Sequence, residues 1–482
     1  MASSLLESRS KVIAFVGLVA SLPVDSAQIS PQSIFENFSK RTRRLENIQL
    51  QSRSGESAIG GIEGLFDPEL GLSVGNEISR AESLNGLGNL EDRNLTASTM
   101  LRKRFSTGTQ LQAQYSYLRQ NSQLNPFNAN LRAPNLVENR FTLIARQSLV
   151  YNAFGFGDRR KIEAARKSDE ALKLASVEQS EELLLETLKQ FWQTYQAKEA
   201  LNLSLEARRI YENLLKDIRE KRRLGLIDAS ELSRTSASYE RQEQKVKEAS
   251  AAYLDNLTRL YDLMDQEVPP ESEVIMFSIP SQTPEPPTEV LSAKENLRET
   301  QVAEAQLAAI ESERAAYKTE DLPILDLVGE AAWNGVDRTG SRSFSETLSA
   351  TNPRYYVGVE FGFRFGNKAT RSKLGDLMNR YQISRNLLEL SRRDLNNNGA
   401  SLQRQLQSTY RISLSAQSAR DHYRQLLTAQ QRNYRVGRID LSQLILDYTA
   451  LFDAELLALD AFANYHQLLH QWAALNDTLF KN

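Results

Sequence analysis

Two periods of apolar residues divide the chain. Between Asp158 and about Leu224 the sequence is rich in Glu, Lys, Gln, Ala and Leu and free of proline, with Leu183, Leu184, Leu188, Phe191, Trp192 and Tyr195 at helical spacing. This spacing predicts one helix, about 100 Å long at 1.5 Å per residue, which a compact domain cannot contain. After the LGLID turn a second helix is expected from about Ala229 to Met264, making an antiparallel hairpin with its tip at Gly225. From Asn367 to about Val436 another long proline-free stretch predicts a helix, eased at Asn396-Asn397-Asn398-Gly399, and a last helix is expected from about Leu441 to Leu479.

The other period is two. RYYVGVEFGFRFG (354–366) puts Tyr355, Val357, Val359, Phe361, Phe363 and Phe365 on one face and Tyr356, Gly358, Glu360, Gly362 and Arg364 on the other. That alternation separates lipid from lumen in a transmembrane strand, and a soluble sandwich hairpin shows it equally. LPILDLVGEAAWNGV (322–336) carries a weaker form, and a polar loop with Asp337-Arg338-Thr339-Gly340 lies between the two. In the first half the expected strands are Pro68 to Ile78, Asn94 to Phe105, Thr109 to Leu118 and Asn139 to Leu149. The link Ser106-Thr107-Gly108 is short, whereas the links at about 80–93 and 119–138 are long and polar, the habit of outer-membrane barrels.

The remaining segments bound these blocks. Residues 265–287 hold six of the thirteen prolines, with VIMFSI as one short candidate strand, and mark a linker before a helix in 288–320. Arg9 and Lys11 precede the apolar run Val12 to Leu22, and small residues near Ala27 offer a cleavage site, so 1–27 is expected to be an export signal. The expected organisation is therefore a helical region at 28–66, strands at 67–150, a helical hairpin at 151–264, the linker and helix, strands at 321–366 and a second hairpin at 367–480. Balanced charge, Lys+Arg 59 against Asp+Glu 61, gives no footprint for nucleic acid. Without cysteine there is no disulfide, thiolate chemistry or lipid-modified cysteine. No later apolar run of roughly 18 residues occurs, so membrane insertion would require a β-barrel.

The halves repeat. RLGLIDASEL (223–232) recurs as RVGRIDLSQL (435–444), and a shift of 212 pairs Ala207, Arg208, Tyr211, Leu214 and Leu215 with Ala419, Arg420, Tyr423, Leu426 and Leu427. Beyond the turn it pairs Ala249, Tyr253, Leu257 and Leu263 with Ala461, Tyr465, Leu469 and Leu475. A register held through both helices points to duplication. Upstream, Phe156-Gly157 pairs with Phe365-Gly366 at 209, so a few residues are expected to have been gained within the second long helix.

FDPEL (66–70), Thr107-Gly108-Thr109, QSLVYNAFGFG (147–157), LGL (224–226) and YRVG (434–437), in this order and spacing, resemble the TolC-type outer-membrane efflux proteins over essentially the whole mature sequence. The resemblance implies an α + β membrane protein: a β-barrel built by a homotrimer, continuous with a long antiparallel α-helical coiled-coil periplasmic tunnel, with two internal repeats per chain. It implies passive conduction of substrate from an inner-membrane pump and a periplasmic adaptor, in efflux or type I secretion, with outer-membrane lipid around the barrel. A soluble periplasmic coiled-coil adaptor or scaffold is the other reading. The family barrel takes four strands per chain, against four candidates in the first half here and two in the second. The family number is favoured, with the Asn94 to Leu118 hairpin outside the wall; the alternative is about 18 strands in the trimer.

The candidate site is the pair of tips. Asp228-Ala-Ser-Glu231 and Asp440-Leu-Ser-Gln443 each fit a capping box. In the family an acid of the first turn, and a tyrosine and arginine beside the second, hold the periplasmic end closed. These positions fall on Glu231, Tyr434 and Ile439, with Arg438 adjacent. The constricting acid ring falls on the uncharged Gln443 and Leu446, leaving Asp440 or Asp447 to substitute, so weaker cation selectivity is expected. Leu224, Gly225, Leu226, Val436 and Gly437 are the expected adaptor-docking tips, and both glycines also suit left-handed turns. His466 and His470 have the one-face spacing of a metal pair but lack a third imidazole nearby, since His422 lies elsewhere on the repeat. No metal, cofactor or catalytic constellation is expected, and the chain reads as a non-enzyme.

Overall fold

The computed structural model describes residues 28–38, 42–80, 89–123, 135–270, 276–279, 283–287 and 297–481. The expected signal at 1–27, the middles of the two long first-half links and the start of the helix expected from Thr288 lie outside these residues. The chain begins with β1 (Gln28–Ile29), α1 (Pro31–Phe38), α2 (Arg43–Glu63), β2 (Glu69–Ser79), β3 (Glu91–Arg104), β4 (Thr109–Gln123) and β5 (Asn135–Ser148). There follow α3 (Phe156–Arg223), α4 (Ala229–Leu263), β6 (Met276–Phe277), α5 (Arg298–Glu320), β7 (Ile324–Asp337), α6 (Gly340–Leu348), β8 (Pro353–Gly362), α7 (Lys368–Arg435) and α8 (Leu441–Leu475). Among the described residues no helix is long and apolar enough to cross a membrane.

Two compact units divide the chain, with boundaries inside α3, α7 and α8, before α2 and in the proline-rich linker. One comprises Arg43–Leu183, Pro287–Gln405 and Gln471–Asn482. Its centre is a six-stranded antiparallel sheet in the order β2-β3-β4-β5-β7-β8. The hairpin expected to stand apart is part of this sheet, which has six strands where four were expected. The short Ser106-Thr107-Gly108 turn holds β3 and β4 in register from Arg104 opposite Gln110 to Glu91 opposite Gln123, and both strands continue the ladder of β2 and β5. That turn is also anchored to the start of α3: Arg104 pairs with Asp158 at 2.7 Å, and the Arg159 guanidinium donates to the Ser106 carbonyl at 3.3 Å.

Because side chains alternate across a strand, the register sorts the sheet into two unlike faces. One carries Leu70, Leu72, Val74, Leu101, Leu111, Ala113, Leu143, Ala145, Ala331, Tyr355, Val357, Val359 and Phe361. The other is polar, and charges there pair across strands: Arg146 reaches Glu360 at 2.5 Å and Asp326 at 3.2 Å, and the Asn334 amide donates to Glu138 at 3.0 Å. The apolar face is the open one, with Val74 and Val357 about four-fifths exposed (80% and 79%). Where the sequence predicts only a polar loop after β7, α6 folds onto this apolar face. Elsewhere in the unit Arg298, at the start of α5, binds Glu181 and Glu178, and Asp477 accepts from its amide at 2.7 Å.

α3 and α7 are each 68 residues long, and α4 and α8 are each 35. Each helix of the second pair begins 212 residues after its counterpart. The residues expected to be gained inside the second long helix are therefore not there. The offset of 209 arises ahead of α7, where Gly366 (φ +81°) and Asn367 (φ +31°) hold the chain out of helical conformation, whereas Phe156 and Gly157 already belong to α3. α7 runs without a break through Asn396 to Gly399, where easing was expected.

The other unit comprises Met1–Thr42, Leu184–Pro286 and Leu406–His470. Its helices pack around Phe191 and Trp192 at one level and around Tyr211, Ile218, Leu444, Tyr448 and Phe452 at another, the spacing that sequence periodicity places on one face of each helix. The short strand expected in VIMFSI is β6, which pairs in parallel with β1. The proline-rich segment is fixed by the Tyr465 hydroxyl, which donates to the Pro284 carbonyl at 2.7 Å.

Candidate functional site

The two hairpin tips lie in this second unit and close in the same way. Gly225 and Gly437 have φ of +74° and +73°. At the first tip the Leu226 amide donates to the Lys221 carbonyl at 3.0 Å and the Gly225 amide to Arg222 at 3.0 Å. At the second, Arg438 donates to Asn433 at 2.9 Å and Gly437 to Tyr434 at 3.0 Å. Each is a Schellman closure, which satisfies the last carbonyls of a helix and needs a left-handed residue at this point. The closure leaves Leu224, Leu226 and Val436 exposed at the ends, each about two-thirds accessible.

Behind the turns the tips differ. The Asp440 carboxylate accepts from the Gln443 amide at 2.7 Å, the first half of a capping box. Gln443 does not reach back; its side chain donates to Asp447 at 2.9 Å. At the first tip Asp228 has the extended conformation of an N-cap (φ −80°, ψ 160°) but makes no side-chain capping bond. The expected capping boxes are thus corrected to one single cap and one uncapped start. Both begin with the same Ile-Asp, and the residues that follow differ, Ala229 against Leu441 and Glu231 against Gln443.

Within the chain the candidate gate residues take separate partners. Tyr434 is held by Lys221 of α3, whose ammonium lies 4.9 Å from the ring centroid and 3.4 Å from the hydroxyl. The backbone carbonyl of Glu231 accepts from Thr235, and no side-chain bond links Glu231 to Tyr434 among the described residues. Arg438 is exposed, while Arg234 of α4 binds the Ser442 hydroxyl of α8, a tie between hairpins that periodicity could not reveal. Asp447 is buried, with Oδ1 on Gln443 and Oδ2 without a hydrogen-bond partner. Leu446 projects into solvent. The Tyr211 hydroxyl, in the core beneath, lies 3.4 Å from Thr449 and from the Ile445 carbonyl, and burial raises its pKa.

His466 and His470 lie in the core of the same unit rather than at an open site. His466 stacks on Trp192 with centroids 4.4 Å apart, and the Nε2 atoms of both rings lack partners. Burial pushes both pKa values down to about 4. In the other unit Glu178, Glu181 and Asp477 have ligand-like spacing, but Arg298 occupies their centre as counter-ion.

An amphipathic antiparallel sheet combined with two pairs of long helices is a fold shared with solved outer-membrane channels. No protein-family model and no curated protein matches the chain. Among solved structures it is similar to the CmeC outer membrane channel of Campylobacter jejuni, with TM-score 0.68 and 11% identity over 93% of this chain and 86% of that one. The outer membrane protein VceC of Vibrio cholerae gives TM-score 0.67 and 11% identity over 92% and 96% of the two chains. The open-state MtrE outer membrane channel of Neisseria gonorrhoeae gives 0.61 and 16% over 93% and 89%.

Proposed function

We propose that the chain is one subunit of a trimeric outer-membrane channel that conducts substrate passively from an inner-membrane pump and a periplasmic adaptor to the outside. The observation that carries this reading is the sheet. Its apolar face is exposed along every strand, and its two edge strands, β2 and β8, present unpaired backbone groups. In hydrocarbon such edges must pair, and closure into a barrel is the arrangement that leaves none open. The six strands alternate in direction, so β8 of one copy meets β2 of the next antiparallel, and three copies close about 18 strands. The polar face, with Arg146, Asp326 and Glu360, then lines the lumen. The helical pairs, read as a duplicated unit, form the periplasmic part, with six tips at its mouth. Leu224, Gly225, Leu226, Val436 and Gly437 meet the adaptor there, and Glu231, Tyr434, Arg438, Asp440, Gln443, Leu446 and Asp447 surround the constriction.

Reconstitution in planar bilayers tests the channel. Stepwise ion conductance from a detergent-extracted, heat-modifiable oligomer is the expected result. Release of the protein by osmotic shock in soluble form, with no conductance, would mean a periplasmic scaffold instead.

A further inference from the structure

α6 turns the wrong way for a helix beside water. Its polar side chains face the sheet: Ser343 and Thr347, one turn apart, are both buried. The Ser343 hydroxyl accepts from the Asn139 amide at 3.1 Å and donates to the Gly335 carbonyl at 2.7 Å, while Thr347 donates to the Asn139 carbonyl at 2.9 Å. Gly335 has no room for a side chain, because a Cβ there would collide with the Ser343 carbonyl. The helix is therefore seated firmly. Its apolar residues point outward instead, with Phe344 44% and Leu348 69% exposed. A surface helix in water places these faces the other way round.

The seat is on the apolar face of the sheet. Gly335 and Asn139 are register partners, as are Tyr117 and Asn139, and the Phe344 ring meets Tyr115 edge-on at 6.1 Å. This corner lies at the end of the sheet opposite the exits of β5 into α3 and β8 into α7, beside the Phe141–Trp333 pair with centroids 5.2 Å apart. β5 and β7 are interior strands, so strand pairing between copies does not reach α6. Arg338 and Arg342, both exposed, flank the start of the helix, and the Asp337 carboxylate fixes that start by accepting from the Thr339 amide at 2.8 Å.

We propose that α6 is a membrane-interface anchor in the outer leaflet: Phe344 and Leu348 enter the acyl region beside the barrel, and Arg338 and Arg342 meet phosphate-bearing lipid headgroups. An amphipathic helix with aromatic and aliphatic residues toward lipid and cations at its margin has the chemistry for that depth. This inference rests on the channel reading and deepens it.

The chain contains no cysteine, so single labels can be placed without removing any. Leu348→Cys on α6 and Val357→Cys on β8 are labelled with an environment-sensitive fluorophore. The proteins are reconstituted in phosphatidylcholine vesicles with or without phosphatidylglycerol. Both labels are expected to be quenched several-fold more by lipid-borne nitroxide than by aqueous iodide. The label at 348 should move deeper when anionic lipid is present, a shift lost in R338Q/R342Q. Iodide access at 348 with lipid quenching at 357 overturns the anchor and leaves the barrel intact. Iodide access at both overturns the barrel reading itself. Lipid quenching at 348 with no response to anionic lipid overturns the headgroup contact.

Discussion

α3 and α7 have the same length and, offset by 212 residues, many of the same residues, yet they are buried differently. Tyr211 is 1% exposed and its counterpart Tyr423 38%; Leu214 is 8% exposed and Leu426 43%. Trp192 and Ile218, wholly buried, stand where α7 has Arg404 and Gln430. Within one chain α3 is covered by its neighbours, Tyr448 of α8 among them, whereas α7, which adds Leu427 to the same cluster, also carries an exposed apolar stripe. In its earlier part that stripe is Ile383, Leu387 and Leu390, spaced at i, i+4 and i+7, which is coiled-coil spacing. On the trimer reading proposed above, the exposed stripe of α7 is the surface available for contact between subunits, whereas α3 serves the core of its own chain.

Substitutions at matched positions of α3 and α7 should rank by burial. Tyr211→Ala is expected to lower the stability of the subunit by about 3–5 kcal/mol, as for other buried aromatics. Tyr423→Ala should change it by about 0.5 kcal/mol or less and weaken subunit association instead. Guanidinium unfolding followed by circular dichroism in detergent, beside semi-native electrophoresis of the oligomer, separates the two; equal losses of subunit stability would refute the asymmetry.

The second copy alone also carries the buried imidazoles, His466 and His470, where α4 has Leu254 and Thr258. Their folded pKa values, about 4, lie below that of the unfolded chain, so the unfolded state binds more protons as pH falls. Stability is therefore full above about pH 6.5 and declines toward pH 4, by about 1.4 kcal/mol per pH unit for each ring. Unfolding midpoints measured across this range should flatten in the double variant His466→Leu, His470→Thr, and an unchanged slope would remove the histidines as the cause.

At the tips the contrast is smaller. Asp440→Ala should cost about 1 kcal/mol by loss of the cap, and Asp228→Ala, where no cap forms, close to nothing. Equal costs would show that both aspartates cap in solution. Asp440 accepts from the Gln443 amide and Asp447 is buried on Gln443, while the positions expected to carry the acid ring, Gln443 and Leu446, are uncharged. Bilayer recordings should accordingly show weak cation preference. Strong preference that disappears in Asp447→Ala or Asp440→Ala would reverse that conclusion.

What the sequence disclosed, and what it hid, follows from the range of the forces involved. Period-two alternation in β8 and the helical stripe through Leu184, Leu188 and Trp192 are local, and both elements form there, although β8 ends at Gly362 and leaves Phe363 and Phe365 beyond the strand. α6 escaped because its nine residues are too few to form a helix unaided; bonds to Asn139, far away in the chain, hold it. The Lys221–Tyr434 and Arg234–Ser442 ties likewise join residues more than 200 positions apart. The unequal fates of Tyr211 and Tyr423 lie beyond local reading because the residues are identical.

Crosslinking across the open edges β2 and β8 tests barrel closure between copies. Two single-cysteine chains are co-expressed, one with Val74→Cys on β2 and the other with cysteine in turn at Tyr355, Val357 or Val359 on β8. The account predicts a disulfide between different chains at one register on the shared apolar face. Absence of any such product at all three β8 positions would contradict it.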